Sequence, residues 1–295
     1  MNGKSQSTGE QDASIFAKEV STIFTSSFPG QIRSSWLFGS YVDGTVVPGS
    51  DVDLLFVVAA PLSGPDTTRF NDLKDALSRL VGRDLSIRVR TPDSIEAKLQ
   101  VSLRQSGRLL SGDDVLTGLP APDMREFLSE NMHLAAMLSL RIRQPLRSVR
   151  LPLKVPAPEA TFFGYVDAPS NGDAGTTRTM VGMVSRMATA IVARKGQMAG
   201  SRADAFRLYQ QTVGGEWGRF LVELDAFCFG RWQYRLPDND ADLSKLRDLC
   251  ARVLGFETHF MAEYAAYLGD CDREKRAEDP KQLVESTLNY LLRLG

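Results

Sequence analysis

The chain has 295 residues, 43% of them hydrophobic and 24% charged, with a formal net charge of −1. That balance describes an ordinary globular protein, long enough for one large core or two modest ones, two being the better expectation. It argues against a protein whose main business is coating nucleic acid or an anionic membrane, while leaving room for local basic patches.

The opening stretch, MNGKSQSTGEQDAS, is small and polar and lacks the apolar core of a secretory signal, so residues 1–12 are expected to form a disordered tail. Ile15, Phe16, Val20, Ile23 and Phe24 then recur at helical spacing, and Pro29-Gly30 closes that helix. A first strand, SSWLF, ends at Gly39-Ser40. The turn signals Asp43-Gly44 and Pro48-Gly49 send the chain straight back into a second strand, DVDLLFVVAA. TTRFNDLKDALSRLVG has a helical period with Phe70, Leu73, Leu77 and Leu80 on one face. DLSIRV alternates, with Leu85, Ile87 and Val89 on one side and Asp84, Ser86 and Arg88 on the other.

Farther on, a helix is expected near Pro122 to Arg143, followed by a basic, proline-punctuated connector with Arg141, Arg143, Arg147, Arg150 and Lys154. APSNGDAG is a loop by composition, and about six helices follow Thr176, one of them capped by Ser201 and Asp204. Met180, Met183, Val184, Met187 and Ile191 form a core stripe, and FCFGRWQY is expected to be core rather than a substrate wall. Cys228, Cys250 and Cys271 fit neither a disulfide framework nor a zinc site and are expected to be structural thiols. No apolar run is long enough to span a bilayer, so a cytoplasmic protein without membrane partners is expected.

The chemistry is concentrated at Asp51 and Asp53. Two carboxylates one residue apart on a strand point to the same face, where both can ligate one divalent ion. Oxygen ligands without a His or Cys cluster favour a hard ion, hence Mg²⁺, with substrate phosphate completing the site. The Gly39-Ser40 turn offers a cradle for that phosphate, and the turn through Ser50 returns Asp51 beside it. Asp84 joins the two acids if its strand neighbours theirs.

Gly-Ser, some ten residues, then Asp-x-Asp leading into an apolar strand, with a later acid opening another strand, resembles the polymerase-β-like nucleotidyltransferase superfamily. The resemblance implies metal ligation by Asp51, Asp53 and Asp84, with two Mg²⁺ ions, and a nucleotide cradle containing Gly39, Ser40 and Ser50. TRTMVGMVSRMATAIVARKGQMAGSRADAF looks like the segment of the streptomycin/spectinomycin adenylyltransferases whose cations contact ATP phosphates. Arg186 matches the helix arginine and Arg202 the family's lysine, with Arg194 and Lys195 as competitors for the second role. Where the family grips its cationic antibiotic with acids, this chain has only Asp173, out of register, so streptomycin is not implied.

The expected architecture is α+β: a nucleotidyltransferase domain over residues 13–118, with a mixed sheet flanked by helices, a connecting segment 119–175, and an α-helical bundle domain 176–295. The expected activity is Mg²⁺-dependent transfer of AMP from ATP to a hydroxyl of a small-molecule acceptor, such as an aminoglycoside-type antibiotic, in the cleft between the domains. Asp84, Glu216 or Glu223 is eligible as general base. The basic connector supports a second reading, a toxin-like nucleotidyltransferase acting on tRNA or protein. A nucleotide-binding regulator that lost turnover is the third, and the intact acids argue against it.

Overall fold

A computed structural model describes residues 3–142, 161–166 and 176–273. The chain is α+β and divides into two compact units, Met1–Asp123 and Met124–Gly295.

In the first unit, α1 (Gly3–Ser27) begins inside the stretch expected to be an irregular tail. Once one turn is fixed by packing, each further residue adds a hydrogen bond at little cost, so the helix propagates outward from buried Ala17, Val20 and Phe24. Next come β1 (Ile32–Phe38), a four-residue helix α2 (Ser40–Asp43), β2 (Val52–Val58), α3 (Gly64–Val81) and β3 (Leu85–Arg90). The unit is completed by α4 (Ala97–Ser106) and β4 (Arg108–Gly112).

The sheet runs β3-β2-β1-β4. The short β1–β2 connection makes that pair antiparallel, whereas β2 reaches β3 through α3 and therefore pairs parallel. Leu54 to Val58 are all buried because both faces of β2 are covered, which is why the strand reads as an unbroken apolar run. On one face Leu54 and Phe56 meet Phe24, Phe28 and Phe70 of the α1–α3 side; on the other Leu55 and Val57 meet Trp36, Phe38, Ile95, Leu99 and Leu103. Leu85, Ile87 and Val89 face the first cluster, as their alternation predicts.

One local expectation fails, and one pair of elements was not expected. Leu80 is 81% exposed at the last turn of α3, past the end of the face that Phe70 and Leu77 bury. The pair α4 and β4 was not foreseen: Leu99, Val101 and Leu103 alternate like a strand although they are helical, and β4 is a half-exposed edge with little apolar signal.

The second unit contains α5 (Met124–Ile142), α6 (Arg178–Arg194), α7 (Arg202–Thr212), α8 (Gly215–Asp225) and the long α9 (Asp240–Arg273). A π-helical turn, Ala226–Arg231, extends α8. Helix α6 is central, with Met180, Met183, Val184, Met187 and Ile191 almost wholly buried. Ser201 caps α7 by accepting a hydrogen bond from the Asp204 N–H at 3.1 Å. All three cysteines are buried and free. A fully buried Glu257 accepts hydrogen bonds from Ser139 and Tyr165, which offsets the cost of its burial.

The basic connector from Arg143 through Lys154 and the loop holding Asp173 lie outside the described residues, as does the side chain of Arg141. No helix among the described residues is long and apolar enough to cross a membrane.

Candidate active site

The β1–β2 connection builds the site. Gly39 leaves β1 with φ 76° and ψ −153°, a backbone conformation open essentially to glycine alone, and its carbonyl accepts the N–H groups of Val42 and Asp43 at 3.0 Å each. Gly44 ends α2 in the left-handed region. Tyr41 is buried, and its hydroxyl accepts a hydrogen bond from Arg83 at 3.1 Å, which ties α2 to the turn before β3. Ser50 closes the return: its N–H donates to the Val47 carbonyl at 2.9 Å, and its hydroxyl accepts the Val47 N–H at 3.0 Å. The Ser50 side chain therefore stabilises the turn and keeps its own O–H as a donor.

This connection and the strand register bring the two halves of the motif into contact. Phe38 pairs with Asp53, so Gly39 falls beside the Asp53 carboxyl. A Cβ placed on Gly39 would lie 2.2 Å from Asp53 Oδ2. Asp51 and Asp53 share a face, both half-buried. Burial, together with the charge of Asp51 and then of Asp43, pushes the Asp53 carboxyl up to about 6, against the lowering effects of a Ser86 hydrogen bond and of Arg88.

The strand that Asp84 opens does neighbour β2, as the convergence of the three acids requires. Asp53 pairs with Ser86 in the parallel ladder, and Asp84 lies two residues earlier, exposed, with its backbone carbonyl accepting the Val52 N–H at 3.0 Å. Asp84 thus stands level with the Asp51 end of the motif, while a hydroxyl occupies the position next to Asp53. Among the described residues no three Asp, Glu, His or Cys side chains gather into a ready metal site. Two half-buried carboxylates that repel each other still fit a divalent ion, since Mg²⁺ is commonly held by one or two carboxylates with waters and substrate phosphates. Asp43, Ser86 and Arg88 are the neighbours that sequence reading missed as site residues. Their only signal was position on the same turn and strand face.

The cations of the second unit are engaged unequally. Arg186 is half-buried in the middle of α6. Arg202 pairs with Asp225 at 3.0 Å and lies over the rings of Phe229 (4.4 Å) and Tyr234 (5.5 Å). Burial holds the Asp225 carboxyl above its ordinary value, with Arg202 opposing that shift. Phe229 and Tyr234, expected to be core, thus form a cation box. Arg194 binds Glu263 at 2.6 Å and Asp270 at 2.9 Å, and Lys195 is exposed. Glu223, eligible by sequence as a base, accepts hydrogen bonds from Lys245 at 2.5 Å and from Arg252, and these hold it below the usual carboxylate range. It is a poor proton acceptor for that reason.

Arg202→Ala is expected to destabilise the protein by about 2 kcal/mol, less than for a fully buried pair because the Asp225 side chain keeps 31% exposure. Thermal denaturation measures the loss. An unchanged KM for ATP in the same variant would confine Arg202 to this structural role.

Residues 17–110 match the sequence-family model described as a nucleotidyltransferase domain. No curated protein matches the chain. Among solved structures, the spectinomycin adenyltransferase AAD(9) from Enterococcus faecialis, with ATP and spectinomycin, is similar at 10% identity and a TM-score of 0.48, covering 78% of this chain and 93% of that one. A toxin-antitoxin complex with AMP-PNP matches at 20% identity and a TM-score of 0.29, covering 44% of this chain and 98% of that one. A tri-AMPylated Shewanella oneidensis HEPN toxin in complex with MNT antitoxin matches at 18% identity and a TM-score of 0.26, over 46% and 98%.

Proposed function

We propose that this chain, whose residues 17–110 form a nucleotidyltransferase domain, transfers AMP from ATP to a hydroxyl of a small-molecule acceptor of the aminoglycoside type and releases pyrophosphate. The observation that carries this reading is the approach of Gly39 to Asp53. A turn without a side chain lies directly against a carboxylate that burial and like charge have made hungry for a cation.

Asp51 and Asp53 would hold Mg²⁺, with Asp84 at the outer edge of the same strand ends. When bound, the ion neutralises phosphate charge and lowers the pKa of an acceptor hydroxyl. The chain's own residues supply placement. Gly39 lets the turn lie directly against the Asp53 carboxyl, and Ser40, half-exposed at the start of α2, brings a hydroxyl donor. Arg186 is assigned to the phosphate tail by its place in the resembling helix. In the reaction the acceptor oxygen forms a bond to the α-phosphorus, the bond to the β-phosphate oxygen breaks, pyrophosphate departs, and the hydroxyl proton is lost to solvent or a base. Holding donor and acceptor in line converts a bimolecular encounter into a positioned one.

The test is Mg²⁺-dependent pyrophosphate release from ATP, with a panel of aminoglycosides and bulk tRNA as acceptors, in wild type and Asp51→Ala. Release with at least one aminoglycoside, absent in the variant, is expected. Release with tRNA alone would assign the activity to a macromolecular acceptor, and silence with every acceptor while Mg-ATP still binds would overturn the acceptor class.

A further inference from the structure

We propose that Ser86, rather than Asp84, completes the Asp51–Asp53 site as a positioning residue, its hydroxyl donating to the Asp53 carboxylate and fixing the direction in which that carboxylate meets a divalent cation. This inference rests on the reading of Asp51 and Asp53 as metal ligands and deepens it.

The strand register is the first ground. β2 and β3 run parallel with Asp53 opposite Ser86, and side chains opposite each other in a ladder share a face. That register places the half-buried Ser86 side chain next to the Asp53 carboxyl, where its hydroxyl is positioned to donate. Asp84 is two residues, roughly 6.6 Å, back along the strand, and it is exposed where Ser86 is half-buried.

The second ground lies on the opposite side of the same carboxyl group. Asp53 Oδ2 fills the space where a Gly39 side chain would begin, at 2.2 Å from its Cβ position. Asp53 is therefore bounded by the turn on one side and by the Ser86 hydroxyl on the other, and a carboxylate bounded on two sides has few orientations left. Arg88, one step farther on the same face of β3, lies over the Phe38 ring at 5.5 Å and contributes charge without replacing the hydroxyl.

Chemistry favours a hydroxyl at this position. A serine can donate to an ionised carboxylate at neutral pH, whereas an acid there would add a third negative charge beside two that already repel. Hydrogen bonds to metal-ligating carboxylates orient them, and losing such a partner typically costs about 10- to 100-fold in metal affinity.

The experiment titrates Mn²⁺ alone into the full chain and follows loss of the free-ion electron paramagnetic resonance signal. The variants are Ser86→Ala, Ser86→Thr, Asp84→Asn and Asp53→Ala, each checked for native circular dichroism. Ser86→Ala is expected to weaken binding on the order of tenfold, Ser86→Thr to restore it by keeping the hydroxyl, and Asp84→Asn to weaken it less than Ser86→Ala does. Wild-type affinity in Ser86→Ala, no rescue by Ser86→Thr, or an equal loss in Asp84→Asn would overturn the assignment of Ser86. Absent binding in wild type, or binding that survives Asp53→Ala, overturns the metal reading itself and this inference with it. Loss in Asp53→Ala alongside normal binding in Ser86→Ala removes the Ser86 role and nothing else.

Discussion

Asp53→Asn is expected to reduce nucleotidyl transfer by about three orders of magnitude, the scale at which a preorganised electrostatic contact to the reacting group is lost. The same substitution should make the metal-free protein more stable. The Asp53 carboxyl stands at about 6 in the folded chain against its ordinary 3.8, raised by burial first and by Asp51 second. Between those values the folded chain holds a proton that the unfolded chain has released, so stability falls as pH rises through this window and the penalty is complete above about 6. Asparagine removes the buried charge. At pH 7.5, in chelator, the variant is expected to exceed wild type by about 2 kcal/mol in urea unfolding, with the difference vanishing near pH 4. Because the carboxylate must be ionised to hold a cation, divalent-ion binding by wild type should weaken as pH falls below about 6. Undiminished turnover in Asp53→Asn would remove this site from the chemistry altogether.

Gly39→Ala is expected to cost about 100-fold in turnover, since shifting a reacting group by 1 Å is enough for a loss of that size. The new methyl group would lie 2.2 Å from Asp53 Oδ2, so the carboxylate or the turn has to move. A φ of 76° with ψ −153° adds roughly 1–3 kcal/mol of backbone strain for any residue with a Cβ. Gly49→Ala separates the two effects. Gly49 has φ 78° but nothing within 4 Å of its Cβ position, so it should share the strain and keep the activity. Equal loss of activity in both variants would show that backbone strain in the loop, rather than the approach to Asp53, is what matters.

The first unit was legible because local rules and tertiary packing agree there. β2 is apolar from Leu54 to Val58 since it is central, the Leu85, Ile87 and Val89 alternation marks one covered face of β3, and the Gly39-Ser40 turn announces a close approach. α4 and β4 were not legible, because neither a ten-residue helix with alternating leucines nor an exposed edge strand carries the periodicity that distinguishes them. In the second unit the buried methionine stripe of α6 and the Ser201 cap are local patterns, and both were read correctly. The engagement of Arg202 by Asp225, Phe229 and Tyr234, and that of Glu223 by Lys245 and Arg252, join residues from different helices and left no periodic trace.

By itself the sequence determined that Asp51 and Asp53 share a strand face, that Gly39 opens a turn, and that an α+β unit precedes a helical one. These follow from fixed periodicities and from glycine's backbone freedom, which act over a few residues. Tertiary structure alone decided that Ser86 rather than Asp84 stands beside Asp53. Parallel pairing across α3 is set by how far the crossover carries the chain, and a shift of two residues keeps every side chain on its face while changing its neighbour. Face is a local property of a strand, whereas register is a property of two strands, and only the folded sheet fixes it.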